Sequence, residues 1–408
     1  SCFGYGRGDD PAAPAYDFVR DVDYCSGAFL LVRRALFDAT GGFDTEYVPA
    51  YYEESDFCVC LWESGHRVVY DPAVRIRHFE FASSGERSEQ AITLQVRNRG
   101  RFVAKHPDFL GRQREPSPAA VLFARHRLAP DKRRILFVDD RSPRPDMGAG
   151  FPRAREFVQA LVGDGHFGTH YPLQFPDDPR DKARAALPET VEIMQGCGVP
   201  RLPAFLEERR GYYDCMVVSR PHNMVAISDL HARHPEWFAG ITLVYDAEAL
   251  FTLREITKAE ALGQPMPPAE QEQKIRAEIE IARIAHRVVT VSAGEAAHYR
   301  QHSQSQVHVL GHALRVRRAG PGFGDRRGYL FVGAIQAHDS PNGDSLIWFL
   351  REVWPRIRAC SNVQLDVVGV CESPEVRRLA SSGISLHGQV DSVEPFYDKA
   401  RVFIVPTR

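Results

Sequence analysis

The spacing of apolar residues predicts alternating helices and strands along most of the 408-residue chain. In YEESDFCVCLWESG (52–65), Phe57 and Leu61 lie four positions apart, and a glycine ends the pattern, which predicts a helix. A second helix is predicted for SEQAITLQVRNRGRFVAKHP (88–107), which ends at its proline. Apolar runs predicted as strands are VDYCSGAFLLVRR (22–34), HRVVYDP (66–72) and AVRIRHF (73–79).

From residue 133 onward the pattern changes to short, continuous apolar runs separated by helical segments. Such runs are typical of strands buried on both faces, and their alternation with helices predicts parallel sheets with right-handed crossovers. The same order begins again at GYLFVGAIQ (328–336), so we predict two consecutive doubly wound units. The other predicted strands are RRILFVDD (133–140), YDCMVVSR (213–220), GITLVYD (240–246), HRVVTVS (286–292), QVHVLG (306–311), VQLDVVG (363–369) and ARVFIVP (400–406).

Composition excludes some classes of protein. Lys plus Arg (51) nearly equals Asp plus Glu (53), and the formal net charge is −2. Nucleic-acid-binding domains usually have a basic face, so nucleic acid is not an expected partner. The eight cysteines are scattered, which is typical of reduced thiols in the cytosol. The sequence has no apolar run of about 18 residues and no signal peptide. We therefore expect a cytoplasmic protein, with at most peripheral association at the inner face of the cytoplasmic membrane.

Three acids stand at the start of the first predicted helix: Glu53, Glu54 and Asp56. Acids in a first turn complement the helix dipole, so the pattern has an explanation without any catalytic function. A carboxylate on a rigid helix start can also act as a general base. His78, which follows the next two predicted strands, can ligate a divalent cation through a neutral ring nitrogen. Composition alone leaves both interpretations open.

Within residues 20–105, several motifs flank these three acids in a particular order. CSGAFLLVRRALFDATGGFD followed by YYEESDFCVCLWESGHRVVYDPAVRIRH closely resembles the C-terminal half of family 2 glycosyltransferases, which have the GT-A fold. The resemblance implies that Glu54 holds the base position, where the family usually has Asp, with Glu53 and Asp56 beside it. It also implies an inverting transfer and a divalent cation (Mg or Mn) with His78 on the metal side. Residues implied to shape the acceptor side are Ser26, Gly27, Gly42 and Asp44.

A second resemblance covers residues 134–408. DDRSPRPDMGAG, VVSRPHN, VYDAEALF, AHRVVTVSAGEA and FVGAIQAHDSPNGDSLIWF together look like family 4 glycosyltransferases of bacterial polysaccharide assembly, which have the GT-B fold. The resemblance implies a nucleotide-sugar donor between two Rossmann-like units, retention of configuration and no metal cofactor. Gly333 would face the donor, and Arg408 would hold its phosphate.

Further candidates come from the residues themselves. Gly148 and Gly150 precede a predicted helix, where the backbone and the helix dipole favour an anion. Arg220, His222 and Asp246 follow or end predicted strands, and ligands of open α/β sheets gather at that edge. A tight packing turn and local hydrogen bonding explain the two groups equally well.

We therefore predict an α/β chain with a partial GT-A domain followed by two Rossmann-like units of a GT-B fold, the last one incomplete. The expected function is transfer of sugars from nucleotide-sugar donors to a glycan or lipid-linked glycan acceptor, building a bacterial surface glycan such as O-antigen or capsule, with two modules for two linkages. The family's Asp-x-Asp motif would precede Ser1, so we expect a piece of a longer protein that is inactive or incomplete alone.

Two other interpretations remain. A non-catalytic glycan-binding or scaffold protein could keep these folds. An NAD-dependent enzyme would need a GxGxxG spacing, which the glycine loop does not have. The predicted domains are 1–112 (part of the GT-A domain), 113–133 (linker), 134–316 (first Rossmann-like unit) and 317–408 (first part of the donor-binding unit).

Overall fold

The computed structural model divides into two compact units, and each is described by itself below. The first comprises Ser1–Pro145, Pro152–Ala249 and Arg276–Gly311, and the second comprises Asp146–Phe151, Leu250–Ile275 and His312–Arg408. The predicted positions of His78, Gly148 and Arg408 lie outside the described residues. The structure describes residues 6, 8–77, 89–115, 117–124, 131–144, 150–313, 320–335 and 337–406.

The N-terminal part of the first unit combines short helices with a two-stranded antiparallel sheet, in which Arg20 lies opposite Tyr70. The predicted helices at 52–65 and 88–107 are confirmed as α2 and α3. A further helix, α5, lies within the segment predicted as a linker. The elements are β1 (Arg20–Asp21), α1 (Arg34–Ala39), α2 (Glu53–Glu63), β2 (Val69–Tyr70), α3 (Glu89–Lys105), α4 (Pro107–Gly111) and α5 (Pro118–Ala124).

The strand predicted over 22–34 is wrong. After β1 the backbone runs through turns and bends until α1 begins, and Leu31 is 89% exposed. An apolar run becomes a strand only where a neighbouring strand can pair with it, and the pairing of β1 with β2 covers two residues. The described part of the run predicted at 73–79 likewise contains no strand.

A seven-stranded parallel sheet forms the larger part of the first unit, which confirms the α/β prediction. Its strand order is β5-β4-β3-β6-β7-β8-β9. Chain order therefore reverses between β3 and β6, where open α/β sheets bind ligands at the carboxyl edge. The elements of residues 134–309 are β3 (Arg134–Asp139), α6 (Gly150–Gly163), β4 (Phe167–Pro172), α7 (Arg180–Ala186), β5 (Glu192–Ile193), α8 (Gly198–Glu208), β6 (Cys215–Ser219), α9 (Pro221–Arg233), β7 (Thr242–Asp246), α10 (Phe251–Ala261), α11 (Pro268–Glu280), β8 (Arg287–Thr290), α12 (Ala293–His302) and β9 (Gln306–Val309). Of these, α10 and the part of α11 up to Ile275 belong to the second unit.

The core of this sheet explains its sequence pattern. Helices cover a parallel sheet on both faces, so each central strand is apolar along its whole length rather than at alternate positions. The side chains of Leu136 and Val138 are fully buried, as are those of Met216 and Val218 on the adjacent strand.

The second unit contains a four-stranded parallel sheet with the order β12-β11-β10-β13. Close backbone packing marks its first loop, because a Cβ added to Gly343 would overlap the carbonyl oxygen of Ala337. Within the described residues, no helix of either unit is both long and apolar enough to cross a membrane. The elements are β10 (Tyr329–Val332), α13 (Pro341–Trp348), a π-helical turn (Phe349–Val353), α14 (Trp354–Cys360), β11 (Leu365–Val368), α15 (Pro374–Leu379), β12 (Ile384–Gly388), α16 (Glu394–Lys399) and β13 (Val402–Phe403).

A buried acid links three elements of this second sheet. Asp366 on β11 accepts hydrogen bonds from His387 Nε2 at 2.7 Å and Lys399 Nζ at 2.8 Å. Burial alone would raise the pKa of Asp366, but the hydrogen bonds from Lys399 and His387 outweigh burial, so the pKa is lowered. We call these three residues the Asp366 triad.

Candidate active site

The acidic first turn of α2 follows an unusual backbone. Tyr51 and Tyr52 have φ values of 78° and 79°, so two consecutive residues other than glycine adopt the left-handed region. Such conformations persist only where the surrounding structure fixes them, and they are frequent at functional sites. The turn leads directly to Glu53, Glu54 and Asp56, whose charges complement the positive end of the helix dipole.

Glu54, the predicted base, is half-buried beside the SGA segment. A Cβ added to Gly27 would lie 3.6 Å from Glu54 Cβ, so the two predicted site residues are neighbours. Burial raises the pKa of the Glu54 carboxyl, and the adjacent charge of Glu53 raises it further. In the same loop, Ser26 Oγ accepts a hydrogen bond from the amide of Ala28 at 3.3 Å. A raised pKa makes the ionised carboxylate a stronger proton acceptor.

Glu53 offers an oxygen suited to a hard cation. Its Oε2 is buried and has no hydrogen-bond partner among the described residues. Mg²⁺ and Mn²⁺ prefer carboxylate oxygens, so this atom fits the cation that the family 2 resemblance implies. The position of His78, the predicted metal-side residue, is not described.

Asp56 has a different environment from the other two acids. It is 2% exposed and is paired with three side chains that the sequence analysis did not identify. Its carboxylate accepts from Tyr47 Oη at 3.0 Å and from Lys105 Nζ at 2.9 Å, and it lies 2.7 Å from His106 Nε2. These contacts occupy the carboxylate, which leaves Glu53 and Glu54 as the acids available to a substrate.

Asp56, Cys60 and His106 also lie close enough for their ligand atoms to surround a cation. The chemistry opposes this. The Lys105 ammonium lies 2.9 Å from the Asp56 carboxylate, so it already neutralises that acid and would repel a cation there. We therefore assign the cluster to the packing of α2 on α3.

The GGFD segment lies at the end of α1. Gly42 has φ 69°, and a Cβ there would meet the Phe37 ring at 2.8 Å, so glycine is required for the close approach. Asp44 accepts from the amide of Glu46 at 2.9 Å and pairs with Lys105 at 2.6 Å. Their predicted role on the acceptor side stays a prediction, with these structural roles beside it.

A charged cluster occupies the crevice between β3 and β6. Arg220, with φ 76°, pairs with Asp139 at 2.9 Å, Glu248 at 3.2 Å and Asp140 at 3.4 Å. Burial raises the pKa of both Asp139 and Glu248, although the Arg220 charge opposes this. His222 is exposed, and its Nε2 lies 2.5 Å from Asp140 Oδ1. The structure thus brings Arg220 and His222 together at the predicted edge.

Asp246 lies at the same edge but is buried in an ion pair. Its carboxylate accepts from Arg153 Nη1 at 2.7 Å and Nη2 at 2.9 Å, and Arg153 Nε donates to the carbonyl of Leu310 at 3.1 Å. The two side chains are 1% and 2% exposed. The two consecutive acids after RILFV, Asp139 and Asp140, indicate the Arg220 cluster in the sequence. Nothing in the sequence indicates that Arg153 is the partner of Asp246.

The glycine candidates mark two loops. Gly150 is the first residue of α6. In the second unit, Gly333 follows β10, and its amide donates to the carbonyl of Val368 at 2.9 Å. A Cβ on Gly333 would lie 2.8 Å from Asn342 Nδ2, whose own contact is a hydrogen bond to the Ala334 carbonyl at 2.9 Å. The loop after β10 is therefore closed tightly onto the start of α13.

Residues 326–408, which include all four strands of the second sheet, match the family described as glycosyl transferases group 1. The chain is also 32% identical over 84 residues to rhamnosyltransferase WbbL of Escherichia coli (strain K12), a match that covers 21% of this chain and 31% of that protein. N-acetylglucosaminyl-diphospho-decaprenol L-rhamnosyltransferase of Mycobacterium tuberculosis (strain CDC 1551 / Oshkosh) is 33% identical over 84 residues, or 21% of this chain and 26% of that protein. The chain thus spans less than a third of the length of these curated relatives.

Among solved structures, sucrose-phosphate synthase from Thermosynechococcus elongatus aligns with a TM-score of 0.46 and 15% sequence identity. The alignment covers 68% of this chain and 76% of that chain.

Proposed function

We propose that the protein is a glycosyltransferase that moves sugars from nucleotide-sugar donors to a glycan acceptor. The observation that carries this proposal is the match of residues 326–408 to group 1 glycosyl transferases. The position of Glu54 beside Gly27, the strained turn before it and its raised pKa support a second centre in the N-terminal part of the chain. Two centres would form two successive linkages.

In the first centre, the Glu54 carboxylate takes the proton of the acceptor hydroxyl as its oxygen attacks the anomeric carbon of the donor. A new glycosidic C–O bond forms, and the bond from the anomeric carbon to the diphosphate breaks, releasing the nucleoside diphosphate. Attack from the opposite side inverts the anomeric configuration. When bound near Glu53 and His78, Mg²⁺ or Mn²⁺ would neutralise charge on the leaving diphosphate.

In the second centre, the charge of the diphosphate is met by protein groups rather than by a metal. The family 4 resemblance assigns this role to the loop at Gly333 and to Arg408, with retention of configuration. In the first unit, one arginine faces three carboxylates in the β3–β6 crevice, so that cluster carries excess negative charge when its acids are ionised. Such a cluster suits sugar hydroxyls better than phosphate.

The names of the curated relatives suggest which substrates to test. Both are rhamnosyltransferases, and one name includes a diphospho-decaprenol acceptor. We therefore propose an activated deoxyhexose as the first donor to test and a polyprenyl-diphosphate-linked sugar as the first acceptor, in the assembly of a bacterial surface glycan.

Titration calorimetry with a panel of nucleotide sugars, followed by transfer assays with the radiolabelled donors that bind, tests the proposal. We expect binding of at least one nucleotide sugar and of its nucleoside diphosphate. Tight binding of NAD without any nucleotide sugar would contradict the proposal. Binding of glycans alone, with no donor bound and no transfer by the longest protein that contains this chain, would favour a non-catalytic glycan-binding protein.

A further inference from the structure

Helix α3 supplies a buried amide to the turn that precedes α2. The Asn98 side chain is fully buried, and its Nδ2 lies 2.8, 2.9 and 3.0 Å from the carbonyl oxygens of Tyr47, Ala50 and Tyr51, which share its two N–H donors. Its Oδ1 accepts from Arg97 Nε at 3.1 Å. This orientation follows from the partners, because an amide oxygen facing three carbonyl oxygens would have no donor.

Other side chains of α3 contact the same segment. Arg101 donates to the carbonyl of Glu46, and Lys105 pairs with Asp44 and Asp56 at 2.6 and 2.9 Å. Asn98, Arg101 and Lys105 are three and four positions apart, so they lie on one side of the helix. We call these three residues the clamp face of α3.

The segment held by the clamp face needs external support. Tyr51 and Tyr52 both have left-handed backbone conformations, which are unfavourable for side chains with a Cβ. Asn98 bonds the carbonyl of Tyr51 within this turn. Glu54 follows Tyr52 by two residues, so the direction in which its carboxylate leaves the helix depends on the turn.

We propose that Asn98 is a positioning residue for Glu54. Its amide fixes the left-handed turn, and the fixed turn keeps the Glu54 carboxylate half-buried beside Gly27. The inference rests on the proposed role of Glu54 as a base, although the structural part can be tested without any activity. Asn98 itself makes no contact with a reacting group.

The sharpest variant is Asn98→Asp. It keeps the size and shape of the side chain, so it leaves no cavity, but it replaces the NH₂ donor with an oxygen that faces three carbonyls. The matched control is Gln95→Glu, the same change from amide to carboxylate at an exposed position of the same helix.

The first measurement is hydrogen exchange in peptides that cover residues 47–57. We expect exchange at least about tenfold faster in Asn98→Asp, since each hydrogen bond lost from a buried site loosens the segment by roughly that factor. Exchange in β3 and β6 should stay at the wild-type rate, which shows that the fold is intact. Gln95→Glu should match wild type throughout.

The second measurement is transfer at a single pH, with kcat referred to the donor-binding sites counted by calorimetry. A loosened turn lets the Glu54 carboxylate leave its place beside Gly27, so we expect kcat to fall at least tenfold with the donor KM within about twofold. A loss of folded protein alone would lower the number of binding sites and leave kcat per site at the wild-type value.

Each outcome decides one point. Equal exchange in Asn98→Asp and Gln95→Glu would overturn the proposal, and so would faster exchange with kcat unchanged. If Glu54→Gln transfers sugar as well as wild type, the proposed function of the first centre fails, and exchange still decides whether Asn98 holds the turn. Should Asn98→Asp not fold, Asn98→Gln keeps the amide with one extra methylene. This variant is expected to exchange faster than wild type. A wild-type rate would contradict the proposal that the Asn98 amide must fit closely against the three carbonyls.

Discussion

The buried pair of Arg153 and Asp246 distinguishes a structural carboxylate from a substrate ligand. Asp246 stands at the ligand-binding edge of the sheet, yet both of its oxygens accept from Arg153 at 2.7 and 2.9 Å with almost no exposure. Removing one partner of a buried pair leaves an uncompensated charge and costs about 3–5 kcal/mol. Asp246→Asn should therefore destabilise the first unit while leaving substrate affinity close to wild type.

Native-state hydrogen exchange of β7 and β8 measures this loss without requiring a two-state transition of the whole chain. A cost of about 3–5 kcal/mol corresponds to roughly 150- to 5,000-fold faster exchange through unfolding. The double variant Arg153→Met with Asp246→Asn should lose clearly less than the sum of the two single losses, because neither charge is left unpaired. Asp229→Asn, an exposed acid on α9, should exchange like wild type.

One result would refute this account of Asp246. It is exchange within about threefold of wild type in Asp246→Asn, together with a large loss of affinity for donor or acceptor. Asp246 would then be a ligand rather than the partner of Arg153, as the sequence alone had suggested.

Three further predictions concern other sites. Glu54→Gln should raise the melting temperature above that of wild type by more at pH 7 than at pH 4. The reason is that a carboxyl whose folded pKa is raised contributes stability at low pH that is lost as pH rises through that pKa. An equal difference from wild type at both pH values would contradict the burial of Glu54. Gly343→Ala should destabilise the second unit by about 1–3 kcal/mol, since the added Cβ meets the Ala337 carbonyl. The control is Gly324→Ala, whose added Cβ has open space among the described atoms. Equal urea midpoints for the two variants would count against the loop geometry. The Asp366 triad should lose stability as pH falls through the lowered folded pKa of its acid, and Asp366→Asn should remove this acid dependence from the thermal unfolding of the second unit.

The sequence predicted the central strands because they are buried on both faces and contain continuous apolar runs. It missed β4, FGTHYP, since Thr169 and His170 interrupt its apolar pattern. Both are buried through polar contacts with distant residues: Thr169 donates to Glu192 at 3.1 Å, and His170 Nε2 lies 3.2 Å from the Arg141 carbonyl. The predicted strand over 22–34 failed for the opposite reason, because its apolar pattern lacks a pairing partner.

The candidate site divides in the same way. Motif order placed both Glu54 and Gly27 among the predicted site residues, and the structure shows them as neighbours. The role of Glu54 as a base stays a prediction. The different environment of Asp56 could not be predicted, because Lys105 and His106 come from 49 and 50 residues further along the chain. Asn98 was missed for the same reason: a polar residue within an amphipathic helix gives no sign in the sequence that it faces three carbonyls.

Glu54 is proposed to remove the proton from the acceptor hydroxyl. The decisive measurement is the transfer rate of Glu54→Gln, compared with wild type and Glu54→Asp in the longest protein that contains this chain, with donor affinity measured in parallel. We expect a loss of about 10²- to 10⁴-fold in kcat for Glu54→Gln with donor affinity unchanged, and partial activity for Glu54→Asp, which keeps the carboxylate. A Glu54→Gln enzyme that transfers sugar within about twofold of the wild-type rate would show that Glu54 is not the base.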